Sequence, residues 1–493
     1  MQMPLRIAMV SAECAPFAKT GGLADVAAAL SRTLWKRGHD VRLFVPLYGK
    51  VERAGLHTEH AAGPFTLGFP GGEVPFSVRK APLAGSENDQ GQPLMVEFVH
   101  SPALFEREDF YTDDEDEPVR WAAFCRAAIE ACQRSGWAPD VFHANDWHTG
   151  LLPLLLRSTY AWDELLAGCS TLLSIHNLGY QGVFGADAVH RIGMDACRGQ
   201  FHQERLRAGS VNLLETGILH ASWLSTVSDT YAREIQTAEY GHGLEGLLAQ
   251  REDHLAGIVN GVDYGEWDPA VDPHLPAHFG PHDLSGKRAC RDALLAEVGV
   301  APAPGGPVLG IVSRLTHQKG LELIPDLARR LLDHHDVRLV VLGSGDPDQE
   351  AYFRWLRDRY PSKVGVRIGY DNGLAHRIEA GADLFLMPSR YEPCGLNQMY
   401  SLKYGTVPLV RATGGLADTV ERYEDGRGTG FVFYEHTSSA LEDTLAHALE
   451  VWKDQAAWRG LQLRGMAEDF SWEAQVTRYE DLYAAIMGDL QLT

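Results

Sequence analysis

Three stretches of this sequence combine residue types that can hold or activate a ligand. The first is Lys19-Thr20-Gly21-Gly22-Leu23. Two glycines let the backbone come close to a ligand, and N–H groups at a helix start attract anions. A lysine just before them adds a point charge suited to phosphate. The spacing is neither Gly-x4-Gly-Lys-Ser/Thr nor Gly-x-Gly-x-x-Gly, which excludes a P-loop and a dinucleotide fingerprint here. A tight turn with a surface lysine is the alternative. The second stretch is Ser313-Arg314-Leu315-Thr316-His317-Gln318-Lys319-Gly320, directly after a strand-like run. Ligands of open α/β sheets bind beyond the carboxyl ends of strands, and two cations there suit a diphosphate unless both are simply solvated. The third is Ser389-Arg390-Tyr391-Glu392-Pro393-Cys394-Gly395-Leu396-Asn397. Pro393 and Gly395 make a tight turn that presents Glu392 together with the backbone N–H groups of 395–397. A carboxylate so placed can hold sugar hydroxyls, stabilise an oxocarbenium-like charge, or cap a helix. Cys394 has no histidine beside it in sequence and reads as packing or substrate contact.

Weaker signals surround these. Gly343-Ser344-Gly345-Asp346 is a lone Gly-rich turn. His143-Ala144-Asn145-Asp146-Trp147-His148 and His176-Asn177 both end strand-like runs. Such groups can ligate a metal, but at strand ends they more often hydrogen-bond substrate or backbone. Thr20–Asp25 recurs as Thr413–Asp418, letter for letter. Either both copies meet the needs of a strand-to-helix turn, or each half presents a Gly-Gly helix start to one ligand.

Positioning these groups requires strands and helices in alternation. Leu5–Ser11 and Val41–Val45 read as buried strands around a helix with Leu23, Val26, Ala27, Leu30 and Leu34 on one face. Gly38 is placed to end that helix. Residues 63–99 read as a hairpin excursion, and Val119–Arg134 as a helix after an acidic run. Strands follow at Val141–Ala144, Thr171–Ile175, Leu224–Val227 and Ala256–Val259. From Asp263 to Pro307 the chain is irregular, with one helix at Lys287–Val298. A second series runs through strands at Val308–Ser313, Val337–Leu342, Val364–Ile368, Leu384–Met387 and Val407–Arg411, with a helix at Gly320–Leu332. Two such series predict two doubly wound α/β domains. Trp472–Met487 is a last amphipathic helix.

Composition narrows the function classes. Over 493 residues, 44 basic against 66 acidic side chains give a net charge of −22, which repels nucleic acid and anionic membranes. A local cluster of cations can still hold a phosphate-bearing ligand. Seven scattered cysteines without a Cys-x-x-Cys suit reduced thiols in a cytoplasmic protein. No apolar run reaches the roughly 18–20 residues of a membrane span, and the N-terminal apolar run reads as a strand rather than a signal peptide.

Taken together, Lys19–Leu23, His143–His148, Ser174–Gly182, Val259–Asp263, Ser313–Gly320, Glu392–Gln398 and Thr413–Asp418 resemble the bacterial glycogen synthases. These are ADP-glucose-dependent α-1,4-glucan synthases related to plant starch synthases. The resemblance implies a glycosyltransferase B-type fold, with two Rossmann-like doubly wound domains facing a deep cleft. It assigns 1–258 to an acceptor-side domain, with the C-terminal helix 472–493 packing back on it, and 259–471 to a donor-side domain. It implies transfer of glucose from ADP-glucose to the non-reducing end of an α-1,4-glucan with retention, by front-face attack in which the leaving diphosphate helps deprotonate the acceptor. Expected partners are ADP-glucose and a glycogen or malto-oligosaccharide acceptor, with no nucleic acid, membrane, cofactor or metal.

On this pattern Glu392, His176, Arg314 and Lys319 are the expected catalytic residues. Lys19, Gly21, Gly22, Asp25, Asp146, Asn177, Asn260, Tyr370, Cys394, Gly395 and Leu396 are expected to bind substrate, with Lys19, Gly22, Arg314 and Lys319 on the diphosphate. The chain departs from many relatives at Asn145, where they carry His, and at Asn397, where they carry Thr. Tyr400, eight residues after Glu392, stands where broader retaining relatives carry a second glutamate, which counts against a sucrose- or lipid-directed transferase. A UDP-glucose donor, an NAD-dependent enzyme and a non-catalytic sugar-binding protein are the alternatives. The second lacks its fingerprint, and the third needs neither the cations nor Glu392.

Overall fold

The computed structural model describes residues 4–490. The chain divides into two compact units. One runs to Val227, resumes over Ala232–Gly261 and takes in the helix from Trp472; the other comprises Ser228–Tyr231 and Val262–Ser471.

In the first unit the strands are β1 (Arg6–Val10), β2 (Asp40–Pro46), β3 (Glu59–Phe69), β4 (Gly72–Pro82), β5 (Met95–His100), β6 (Val141–Asn145), β7 (Ser170–Ile175), β8 (Val183–Gly185), β9 (Ser210–Asn212), β10 (Trp223–Thr226) and β11 (Leu255–Gly257). The main sheet has the order β11-β10-β7-β6-β1-β2-β5-β4-β3, and β8 and β9 pair separately. From β11 to β5 all neighbours are parallel, which explains the near-continuous apolar runs, since both faces are covered by helices. The excursion expected over 63–99 is the antiparallel ribbon β3–β4 added to the edge through β5. The helix Gly22–Lys36 buries Leu23, Val26, Ala27, Leu30 and Leu34, and the chain leaves it through Gly38 at φ 94°. The C-terminal helix Trp472–Leu490 sends Trp472, Val476, Tyr479, Tyr483 and Ile486, three or four residues apart, into the core of this unit. Burying each such side chain contributes roughly 1.5–3 kcal/mol.

The second unit carries β12 (Val308–Val312), β13 (Arg338–Gly343), β14 (Val364–Ile368), β15 (Leu384–Met387), β16 (Val407–Arg411) and β17 (Phe431–Phe433). They form one parallel sheet in the order β14-β13-β12-β15-β16-β17. The irregular segment after Val262 is pinned by the buried Asp272, which accepts from the Tyr404 hydroxyl (2.6 Å) and pairs with His376 Nδ1 (2.8 Å). Burial works against this carboxylate, but those hydrogen bonds outweigh it and hold its pKa below the usual value. Trp267 lies flat between His376 and Tyr400, with ring centroids 3.7 and 3.8 Å away. Tyr400 is thereby a packing residue. Among the described residues no helix is long and apolar enough to cross a membrane.

Candidate active site

In a doubly wound sheet, ligands bind beyond the carboxyl ends of the strands where the strand order reverses. In the first unit that point lies between β1 and β6. The Lys19–Leu23 turn follows β1, Asp146 follows β6, and His176 follows the adjacent β7. In the second unit the reversal lies between β12 and β15. Arg314 and Lys319 follow β12, and Glu392 follows β15. Most candidate residues of each unit therefore gather at or next to its switch point, whereas Asn260 and Tyr370 follow the edge strands β11 and β14.

In the first unit Asp146 adopts φ 58° and ψ −175°, a region nearly reserved for glycine. The strain turns its carboxylate back to accept the His176 N–H at 2.7 Å. Burial pushes the Asp146 carboxyl up to about 7; the His176 and Asn177 N–H groups oppose the shift, and the Glu13 carboxylate adds to it. His176 Nε2 lies 2.9 Å from Asn145 Oδ1. The Asn145 amide is oriented by donation to the Val10 and His143 carbonyls, so its Oδ1 accepts and His176 Nε2 carries the hydrogen. Burial lowers the His176 pKa to about 4, which keeps the ring neutral. His143 is also neutral, lowered to about 3 by burial and then by His176. It bridges Ser174 Oγ (2.6 Å) and the Tyr483 hydroxyl (2.8 Å). His143 is thus a buried structural link. Asn177 shapes its own turn, accepting from Gly179 N–H, and Asn260 is buried at the end of the unit.

The Lys19 turn differs in one respect from its sequence reading. The Thr20 and Gly21 N–H groups are not left for a ligand; both donate to the buried carboxylate of Glu13, at 2.7 and 3.2 Å. The helix itself begins at Gly22. Lys19 pairs with Asp25 in the first helical turn at 2.7 Å, and both side chains stay substantially exposed.

In the second unit Lys319 Nζ donates to Glu392 Oε2 at 2.6 Å, and Ser389 Oγ donates to the same oxygen at 3.0 Å. Glu392 is 5% exposed. Arg314 is exposed and donates to Gln318 Oε1. The Glu392 turn is tied to β12 by Asn397, whose Nδ2 donates to the Val312 carbonyl at 2.6 Å. Gly395 has φ 71°, Cys394 is buried, and Leu396 precedes the short helix Asn397–Lys403. Tyr370 stands apart at 84% exposure, its hydroxyl 3.4 Å from Asn372 Oδ1.

The repeat proves to be one sequence with two uses. A Cβ on Gly21 would meet nothing within 4 Å, whereas one on Gly414 would lie 1.9 Å from the Glu392 carbonyl and one on Gly415 2.0 Å from that of Cys394. The Gly415 N–H donates to the Glu392 and Pro393 carbonyls. The second Gly-Gly is therefore a seat for the Glu392 turn. Its Asp418 accepts from Thr230 N–H and Oγ1. Sequence reasoning missed Glu13 with Tyr111, and Asn145 as a partner of His176, because single residues joined across distant positions leave no spacing signature; Ser389, three residues before Glu392, lay inside the motif without its hydrogen bond being read.

Residues 6–250 match the family profile described as starch synthase catalytic domain, and residues 299–460 that described as glycosyl transferases group 1. Fold and site thus define a glycosyltransferase with two Rossmann-like α/β domains of the B type. The glycogen synthase of Anaeromyxobacter dehalogenans (strain 2CP-1 / ATCC BAA-258) is 47% identical over 98% of this chain and 99% of its own. Glycogen synthase 1 of Geobacter sulfurreducens is 43% identical over 97% and 96%. Among solved structures, the catalytic domain of starch synthase IV from Arabidopsis thaliana, bound to ADP and acarbose, superposes with a TM-score of 0.89 at 32% identity, covering 99% of this chain and 100% of that one. Sucrose-phosphate synthase from Thermosynechococcus elongatus, at 18% identity and a TM-score of 0.59 over 98% and 99%, shares the fold. The chain belongs to the glycogen synthase family and is a glucosyltransferase of glycogen synthesis.

Proposed function

We propose that this enzyme moves glucose from ADP-glucose to the non-reducing end of an α-1,4-glucan, with retention and without a metal. The observation that carries the reading is the Lys319–Glu392 pair at the switch point of the second unit. Donor choice is supported by the ADP held by the Arabidopsis starch synthase. Arg314 and Lys319 take the charge that grows on the diphosphate as the glycosidic bond breaks. Lys319 has three N–H donors, so it can stay on Glu392 while it reaches a phosphate oxygen. Glu392 then acts twice: it fixes Lys319, and its negative charge favours the cationic sugar ring of the transition state. The neutral His176 and the Asp146 carboxylate bind sugar hydroxyls. A leaving diphosphate oxygen takes the proton of the attacking acceptor hydroxyl on the same face, which preserves the anomeric configuration.

Release of ADP from ADP-glucose in the presence of glycogen, compared with UDP from UDP-glucose, tests this. ADP-glucose should be turned over at least roughly tenfold more efficiently, a difference of about 1.4 kcal/mol in transition-state binding. Equal or better use of UDP-glucose would overturn the donor assignment, and no release from either would overturn the reaction.

A further inference from the structure

Glu13 has no place in the reaction as described, yet its carboxylate is the most heavily used acceptor around the Lys19 turn. It is 3% exposed. Oε2 accepts the N–H groups of Thr20 and Gly21, and Oε1 accepts Thr20 Oγ1 at 2.5 Å and the hydroxyl of Tyr111. Its own backbone is fixed in turn by Ser11, whose Oγ donates to the Glu13 carbonyl (2.7 Å) and accepts its N–H. Cys14 and Ala18 close the intervening loop with two backbone hydrogen bonds. A turn holding two consecutive glycines has many conformations of similar energy, and a buried carboxylate with four donors selects one of them. It also occupies the amides that a phosphate would otherwise take at this helix start, so the donor is confined to Lys19 and the residues from Gly22 onward.

The geometry points to Glu13 as a positioning residue for nucleotide binding: it sets the Lys19–Gly22 turn in its binding conformation without itself touching the donor. The inference rests on the proposed role of Lys19 and Gly22 towards a nucleoside diphosphate. Glu13→Gln offers an amide NH2 where two donors need an acceptor, so the turn loses its single conformation.

The test is calorimetric titration of ADP into the full chain, with KM for ADP-glucose and glycogen and the melting temperature measured alongside. Glu13→Gln should weaken ADP and raise the donor KM by roughly ten- to thirtyfold, with the glycogen KM within about twofold, as expected for lost charge-assisted contacts. Thr20→Val, which removes only the hydroxyl donor, should weaken ADP by about three- to tenfold, and Thr20→Ser should restore it. A purely structural role would lower the melting temperature and leave ADP affinity at low temperature unchanged. ADP affinity of Glu13→Gln within about threefold of the wild type, or donor and glycogen KM rising together, would overturn the inference. If Glu13→Gln does not fold, equal ADP affinity of Thr20→Val and Thr20→Ser overturns it instead. A wild type that binds no ADP overturns the reading on which it rests.

Discussion

Asp146 combines a nearly glycine-only backbone conformation with a half-buried carboxylate that is strongly desolvated, each of which costs stability. The strain alone is of order 1–3 kcal/mol. Its folded pKa of about 7 lies above the ordinary 3.8, so the folded state holds the proton more tightly than the unfolded one. The stability this contributes is fully present below about pH 4 and is lost as pH rises through about 7. Asp146→Asn should therefore stabilise the fold at pH 8 by about 1–3 kcal/mol, read as a higher melting temperature, with the gain vanishing towards pH 4. Turnover should fall at least roughly 10²-fold, since the proposed acceptor for sugar hydroxyls becomes half donor. Calorimetry across pH together with the ADP-release assay checks both; a variant less stable at pH 8 would contradict the electrostatic account. At Glu392 the expectation is different. Glu392→Gln leaves the buried end of Lys319 without its counter-charge, so both turnover and stability should drop, turnover by roughly 10²–10³-fold and stability by about 1–3 kcal/mol. Turnover measured well below the melting temperature separates the two effects.

At the scale of elements, the two Gly-Gly helix starts give the sharpest contrast. Gly21 has φ −156°, extended backbone open to any residue, and free space around it. Gly414, the equivalent of Gly21 in the second copy, has φ 44° and faces the Glu392 carbonyl at a distance no Cβ can occupy. Gly414→Ala should cost about 2 kcal/mol or more, because the obstacle is backbone and cannot swing away, and should displace Glu392. Gly21→Ala should leave stability within about 0.5 kcal/mol. Paired unfolding curves and turnover numbers decide this; equal destabilisation by both would mean the copies serve alike. The strands themselves were legible, since Val364–Ile368, Leu384–Met387 and Val407–Arg411 fall where their apolar runs lie. The helix read from Gly320 begins instead with a tighter turn at Leu321–Leu323 and becomes α-helical at Ile324. Gly320 has φ 65° and its Cα faces the Pro388 carbonyl, which sets the tight entry.

For the whole molecule, each unit has its own apolar core. Scanning calorimetry should resolve two transitions, with Asp146→Asn moving one and Gly414→Ala the other; a single transition moved by both would show the cores unfolding as one. The net charge of −22 repels a doubly charged donor at long range, so the proposed reaction needs local cations such as Arg314 and Lys319. On the proposal that these side chains neutralise the diphosphate, dialysis against EDTA should leave most of the turnover intact. Loss of nearly all activity, restored by Mg²⁺, would show that the cations do not suffice.

The sequence by itself determined what depends on near neighbours: the β/α alternation, the Gly-Gly turns, the tight turn at Glu392 and the amphipathic stripe from Trp472. It also carried enough joint motif identity to indicate the family. Only the tertiary structure decided which groups meet. His176 finds Asn145 across 31 positions, Tyr111 finds Glu13 across 98, and Tyr483 finds His143 across 340. Each of those meetings follows from strand order and helix docking, which local periodicity does not encode. The same reason separates Thr20–Asp25 from Thr413–Asp418. Identical residues have identical local preferences, but one turn opens beside β1 to solvent and the other closes on the backbone of the Glu392 turn, so their function is set by what the fold packs against them.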